Sequence, residues 1–386
     1  MLGALLREKK ILVCVGPGGA GKTTISAAIG ARAARAGRRT LVATIDPAPR
    51  LADALGIAGL GGEPRAVPAA ACRALGVDAA EGAERLYAVR LDTERTFARL
   101  VDGQVTDPEM RRRIYDNTIY RQITTTLTGS QEYAATLALH DFVAEGGFDL
   151  VILDTPPTAN ALDFLDAPAR IRAAVSSPAI KWFARPDDRR RFSFQRLRAG
   201  GALVMGRLAK LLGSAFLDDL GAFLVDFQGV LGGFLARADA IDRLLRGADV
   251  AFLLVLAPAV AAVDEALYFH ARLREAGIPL GGFIANRVQP APGLDDAAAI
   301  GAALRDDPAF AGLSGETISD AAGRLGPVAR AFGTLRASER RELGRLGERA
   351  PGITITEIPL LDHDVDNLAE LRLVGDALDG GPPTAP

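Results

Sequence analysis

Seven short apolar runs, each heavy in β-branched residues, recur along the chain: KKILVCVG, RTLVATID, RLYAVRLD, FDLVILDTPP, DVAFLLVLAP, PLGGFIANRV and ITITEIPLL. Runs of this kind read as strands buried on both faces. Stretches of helical periodicity separate most of them, as parallel crossovers require. The sequence therefore predicts an α/β fold built on a doubly wound, mostly parallel sheet. At 386 residues, nearly half of them apolar, the chain is long enough to bury a substantial core.

Residues 1–386 are read as one domain with helical material inserted in it. Residues 95–145 are mostly helical by pattern, and residues 164–247 form a long insert before the next strand. Within that insert Leu220, Phe223, Leu224, Phe227, Leu231, Phe234, Ile241 and Leu245 keep three-and-four spacing, which predicts one long amphipathic helix. Its glycines, Gly221, Gly229, Gly232 and Gly233, each cost roughly 1 kcal/mol against alanine in a helix. Close approach of a neighbour, or mobility, is the expected reason for them. The tail over residues 380–386, GGPPTAP, reads as disordered.

Composition removes several classes of function. A net charge of −2 gives no overall pull toward nucleic acid or an anionic surface, so no nucleic-acid partner is expected. Only two cysteines occur, Cys14 and Cys72, which argues against a disulfide framework and for a reducing, cytoplasmic setting. The apolar stretch over residues 200–245 is interrupted by Arg207, Lys210, Asp218, Asp219 and Asp226. It falls short of the roughly 18 to 20 apolar residues that span a bilayer.

The chemistry is concentrated in VGPGGAGKTT. Gly16, four intervening residues, then Gly21, Lys22 and Thr23 satisfy G-x-x-x-x-G-K-[ST], between an apolar strand and a helical stretch. Gly18, Gly19, Ala20 and Gly21 would turn backbone amides toward phosphate oxygens, and the following helix adds its positive end. Lys22 would reach the terminal phosphates of a nucleotide, and Thr23 would offer its hydroxyl to Mg²⁺. FDLVILD ends in Asp154, as does a magnesium-side carboxylate emerging from a neighbouring strand. Asp46 closes the second strand in VATIDPAPRLADALG. It reads either as a carboxylate that orients an attacking water or as part of an Asp-Pro turn.

Together the loop, DPAPRLADALG, DTPPTANALDFL, ANRV and IPLL resemble, in order, the ArsA-type ATPases, a P-loop class with a deviant Walker A sequence. This family includes the arsenite-pump ATPase and the ATPases that target tail-anchored membrane proteins. The sequence looks most similar to the longer subunit of the paired actinobacterial members. The resemblance implies ATP and Mg²⁺ as ligands and an ATP hydrolase that works as a dimeric switch on a protein or membrane-protein client. It implies Asp46 as the water-polarising residue, Asp154 as the opening of the second switch, Thr24 at the α-phosphate, and Asn286 with the Pro359 segment at the adenine. Asn160 stands where targeting relatives often have histidine.

In that family the loop reads K-G-G-x-G-K-[ST], and its first lysine reaches the nucleotide of the opposite subunit. Here the position is Pro17, which has neither the charge nor an amide N–H. Losing a trans-acting cation costs on the order of a thousandfold in turnover, judging from arginine fingers. A homodimer would lack it twice, a heterodimer with a lysine-bearing paralogue only once. The heterodimer is thus the expected partner state, against a slow homodimer or one using another cation.

Two cysteines cannot supply three thiolates to arsenite, and the interface zinc motif of targeting relatives is absent. His140, His270 and His363 are scattered and read as ordinary residues. The Phe223, Phe227 and Phe234 stripe reads either as a groove for a hydrophobic client helix or as core packed on residues 95–145. Arg189, Arg190, Arg191, Arg196 and Arg198, with Phe192 and Phe194, read as a solvated loop or a peripheral membrane contact. Two other functions stay open: a positioning ATPase of the ParA or MinD kind, and a regulatory subunit that holds nucleotide while a partner hydrolyses it.

Overall fold

The computed structural model describes residues 2–78, 84–125, 130–156, 164–167, 169–170, 172–173, 214–290 and 296–378. The strands among them are β1 (Ile11–Val15), β2 (Thr40–Thr44), β3 (Arg65–Ala66), β4 (Leu86–Arg90), β5 (Leu150–Asp154), β6 (Val250–Leu256), β7 (Leu280–Val288) and β8 (Ile355–Pro359). They form one sheet in the order β3-β4-β2-β5-β1-β6-β7-β8. Every pairing is parallel except that of the two-residue β3, which runs antiparallel to β4 at the sheet edge. The fold is thus α/β with a mostly parallel sheet, and the seven apolar runs account for every strand but β3.

The strands are apolar throughout because each face is covered. Ile11, Val13 and Val15 of β1 point into one hydrophobic layer, Leu12 and Cys14 into the other. Helices α1 (Leu2–Glu8), α2 (Lys22–Arg35), α3 (Arg50–Ala54) and α4 (Ala69–Ala74) lie on the second side. Gly30 of α2 lets that helix seat closely, since a Cβ there would come within 2.4 Å of Val42 Cγ2. On the first side lie α5 (Thr93–Asp102), α6 (Pro108–Asp116), α7 (Thr118–Thr125), α8 (Ser130–Ala144), α9 (Ser214–Leu245) and α10 (Val260–Glu275). Between β7 and β8 come α11 (Ala297–Asp306) and the 35-residue α12 (Gly315–Arg349), and α13 (Leu368–Ala377) returns to the second side. Side-chain caps start several of these helices: Asp92 accepts from Arg95 N, Asp107 from Glu109 N with Pro108 next to it, and Ser314 from Thr317 N.

The long amphipathic helix of the insert is α9. Its Phe223, Phe227 and Phe234 are buried and belong to the same core as the sheet. Phe234 stacks on Phe97 and on Tyr133, each at 6.1 Å between ring centroids. Of the two readings left open, the structure therefore takes core: the aromatic stripe is buried against α5, α6, α7 and α8 rather than lining an open groove. Gly233 is where α9 comes close to a neighbour, for a Cβ would meet the Gln104 side chain at 2.5 Å, whereas Gly232 faces open space.

The surroundings of Gly221 and Gly229, the arginine cluster from Arg189 to Arg198 with Phe192 and Phe194, Asn160, and residues 380–386 lie outside the described residues. Among the described residues no helix is long and apolar enough to cross a membrane.

Candidate functional site

The sheet register builds the site. Cys14 of β1 and Thr44 of β2 both pair with Asp154 of β5, so the carboxyl ends of three adjacent strands finish in one row. Ligands of open parallel sheets bind beyond such ends. The loop after β1 turns there on glycines that other residues would strain. Gly16 has φ +155°, and a Cβ on it would meet Val255 O at 1.9 Å. Gly21 has φ +87°, and a Cβ there would strike Asn286 Nδ2 at 2.4 Å. Gly21 also stands at the cap of α2 with no side chain capping it, which leaves the first amides of the helix free for an anion.

A cleft of about 710 Å³ opens over this loop, lined in part by Gly18, Gly19, Gly21, Lys22, Thr23, Thr24 and Asp46. Lys22 is buried, and its ammonium donates to Gly16 O at 2.9 Å and Pro17 O at 3.0 Å. Burial holds its pKa below the ordinary lysine value, against the pull of Asp154. Ala20 is buried beneath the loop, and its carbonyl accepts from Asn286 Nδ2 at 2.8 Å. Pro17 is half-buried and bears no cation.

Asp154 lies under the cleft. Its Oδ2 accepts from Thr23 Oγ1 at 2.7 Å and from Thr44 Oγ1 at 3.0 Å, while Oδ1 is buried with no hydrogen-bond partner. Burial is the main reason its pKa rises to about 6; the two hydroxyls and Lys22 oppose the rise. An orphaned carboxylate oxygen beside a threonine hydroxyl is a donor set that suits a hard divalent cation. No group of three or more His, Cys, Asp or Glu that could hold a metal occurs among the described residues. Mg²⁺ would fit the donor set at Asp154, and Thr23 and Asp154 are the residues that would hold it.

Asp46 forms the turn that its sequence suggested and at the same time faces the cleft. It lines the cleft, and its Oδ1 accepts from Ala48 N at 2.9 Å, closing the Asp-Pro-Ala turn. Its Oδ2 meets Arg50 Nη1 at 3.2 Å. Asn286 and Pro359 line an adjoining cavity of about 500 Å³ that shares Gly21, Thr24, Arg287 and Val365 with the cleft. The phosphate-loop residues and the two expected adenine-side residues thus meet around one continuous recess.

Other lining residues were not singled out from the sequence, Arg50, Asp53, Thr155, Arg287 and Asp366 in the cleft, and His363, read there as an ordinary residue, lines the adjoining cavity. Thr155 follows Asp154 directly and is anchored through its hydroxyl to Cys14 O at 2.8 Å. Arg287 takes φ +59°, unique among the described non-glycine residues, and its amide donates to Asn286 Oδ1 at 3.0 Å. A positive φ outside glycine marks a held backbone and is frequent at ligand sites. Arg50, Asp53 and Arg287 lie within the quoted stretches DPAPRLADALG and ANRV, where proximity to the motif was the available signal. His363 and Asp366 carried none.

Residues 9–181 match the family model described as an anion-transporting ATPase. An uncharacterised protein of Streptomyces coelicolor is 33% identical over 166 residues, which cover 43% of this chain and 39% of that protein. A Halobacterium salinarum protein named as an arsenical pump-driving ATPase is 30% identical over 164 residues, 42% of this chain and 24% of its own length. One of the same name from Aquifex aeolicus is 24% identical over 287 residues, 73% of this chain and 64% of that one. The matched stretch covers less than two thirds of each of these relatives.

Proposed function

We propose that this chain, whose residues 9–181 match the anion-transporting ATPase family model, is an ArsA-type, cytoplasmic, Mg²⁺-dependent ATP hydrolase that works as one half of a dimeric switch. One observation carries the reading: Gly18, Gly19, Gly21, the free amino end of α2, Lys22 and Thr23 line a single cleft, with Asp154 bonded to Thr23 beneath it. Phosphoryl transfer asks a protein mainly for positioning and charge neutralisation, and these groups supply both. Thr23 and Asp154 would hold Mg²⁺, which when bound would offset the charge of the phosphates. Lys22 would leave the carbonyls of Gly16 and Pro17 to meet the phosphates, and the glycine amides would fix their orientation. Asp46 would release its Arg50 contact and hold the attacking water. Asn286 would keep the loop in register through Ala20 O, with Pro359 beside the base.

Pro17 supports a heterodimer, because a related subunit with lysine at that place could still complete the site built on Lys22. We place this chain with the longer subunit of the paired actinobacterial members. The second reading, a homodimer that uses another cation, has an observation of its own: Arg50 already sits in the cleft. The work done by the switch, by the same resemblance, is the handling of a protein or membrane-protein client. Phe223, Phe227 and Phe234 are not its seat, since the chain's own helices occupy them.

Steady-state Mg²⁺-ATPase activity of the pure chain, with and without its lysine-bearing paralogue, tests the proposal. Strong stimulation, lost when the paralogue's loop lysine is changed, is the expected result. Equal activity without the paralogue means a self-sufficient homodimer, and Arg50→Ala then identifies its cation. Lys22→Ala should lower turnover by about 10²–10³-fold in either case. Activity that survives this change would overturn the assignment of the cleft.

A further inference from the structure

Arg336, Glu339, Arg340 and Leu343 follow one another at helical spacing, which puts them on a single face of α12. That face meets β7 and β8, the strands that bear Asn286 and Pro359. Leu343 is buried in a small apolar cluster with Ala285 and Val288. The charged side chains take the polar groups beside it. Buried Glu339 accepts from Gln289 N at 2.8 Å and Arg336 donates to Gln289 O, so α12 holds both backbone groups of the residue that follows β7. Arg340 donates to Glu357 Oε1 of β8 at 2.6 Å, and Arg336 stands 3.9 Å from Glu357 Oε2. Neither these three side chains nor Gln289 and Glu357 line the nucleotide recess.

What these bonds hold is next to the recess. Arg287, at φ +59°, lies two residues before Gln289 and lines both the cleft and the adjoining cavity. Such a backbone persists where its surroundings fix it. On one side Asn286 accepts from Arg287 N at 3.0 Å and donates to Ala20 O at 2.8 Å. On the other Val288 O accepts from Leu360 N at 2.8 Å, and α12 secures Gln289.

We infer that Glu339, with Arg336 and Arg340, positions the nucleobase site: through Gln289 and Glu357 these residues fix the Asn286–Arg287 turn against the Pro359 segment and so set base affinity and selectivity without touching nucleotide. The inference rests on the assignment of the cavity at Asn286 and Pro359 to the base. Lys22 and Thr23 are held by other bonds, to Gly16 O, Pro17 O and Asp154. Loosening the α12 contacts therefore acts on the base and spares the phosphates.

Calorimetric binding of ATP, GTP and inorganic tripolyphosphate to the full chain with Mg²⁺ tests it. The parent chain should bind ATP more tightly than the other two. Glu339→Ala leaves the Gln289 amide without its acceptor and should weaken ATP at least about tenfold, narrow the preference over GTP, and leave tripolyphosphate within about twofold. Glu339→Gln keeps an acceptor oxygen and should restore ATP binding. Arg340→Ala, at a half-exposed position where folding is not at stake, should weaken ATP about two- to fivefold with the same selectivity. Arg345→Ala, which breaks the pairs with Asp264 and Glu342 farther along the helix, should alter neither ligand. ATP binding unchanged in both Glu339→Ala and Arg340→Ala, or equal losses for ATP and tripolyphosphate, would overturn the inference. A parent chain that binds ATP no more tightly than tripolyphosphate would instead overturn the assignment of the base cavity.

Discussion

Helices α9 and α12 are both long, and both carry an apolar stripe at helical spacing, yet they end differently. In α9 the stripe of Phe223, Phe227, Val230 and Phe234 is buried against α5, α6, α7 and α8. In α12 the stripe of Leu325, Val328, Phe332 and Leu335 stands half open between buried ends. A periodic apolar pattern states that a helix has a face to cover. It does not state whether the chain itself supplies the cover: in this molecule one stripe is covered from within and the other is left half exposed.

That contrast breaks most sharply at Phe234. Phe234→Ala should cost about 3–5 kcal/mol, because it leaves a cavity between Phe97 and Tyr133, and chemical denaturation measures it. A loss under about 1 kcal/mol would mean that α9 is a loosely covered groove after all. The next largest effect concerns a buried charge rather than a buried ring. Burial raises the Asp154 pKa from its ordinary 3.8 to about 6, so the folded state binds the proton more tightly than the unfolded one. Stability from this group is therefore fully present below pH about 4 and falls as pH rises toward 6 and beyond. In the absence of Mg²⁺ and nucleotide, Asp154→Asn should gain on the order of 2–3 kcal/mol at pH 8 and lose that advantage near pH 4. An equal effect of the substitution at both values would show that the carboxylate is not desolvated as described.

Smaller effects compare the helices directly. Gly232 of α9 and Gly344 of α12 both face open space, so replacing either by alanine should stabilise by about 0.5–1 kcal/mol through helix propensity alone. A destabilising Gly232→Ala would reveal a neighbour on that side of α9. The smallest change is expected at Phe332. In dilute solution Phe332→Ala should stay within about 0.5 kcal/mol of the parent, the usual range for a surface position. Set against Phe234→Ala, it asks whether equal chemistry at equal spacing is read by burial alone.

Much of the sheet and of the phosphate loop was legible in the sequence, because each depends on short-range rules. A strand covered on both faces must be a continuous apolar run, and a loop that brings amides to phosphate must have glycine where φ is positive, as at Gly16 and Gly21. Asp46 was legible as a choice between a turn and a water-positioning carboxylate. The fold makes it a turn that faces the cleft, so the two readings were never exclusive. Arg287 escaped notice because nothing local announces a positive φ at an arginine. His363 and Asp366 escaped because they reach the recess only when β8 is laid beside β7. The short β3 has too few residues to show any period.

The sequence alone thus determined the α/β class, the strand that precedes the phosphate loop, the residue types able to hold a nucleotide, and the absence of a cation at Pro17. All of these follow from covalent geometry, side-chain chemistry and apolar period, which act within a few residues. Only the tertiary structure decided which carboxylate oxygen is left without a partner at Asp154, which side chains from distant segments line the recess, and which of two apolar helices is covered. Those outcomes depend on desolvation and on contacts between segments as far apart in sequence as Ala20 and Asn286, and no local pattern encodes what a face will meet once the chain has folded.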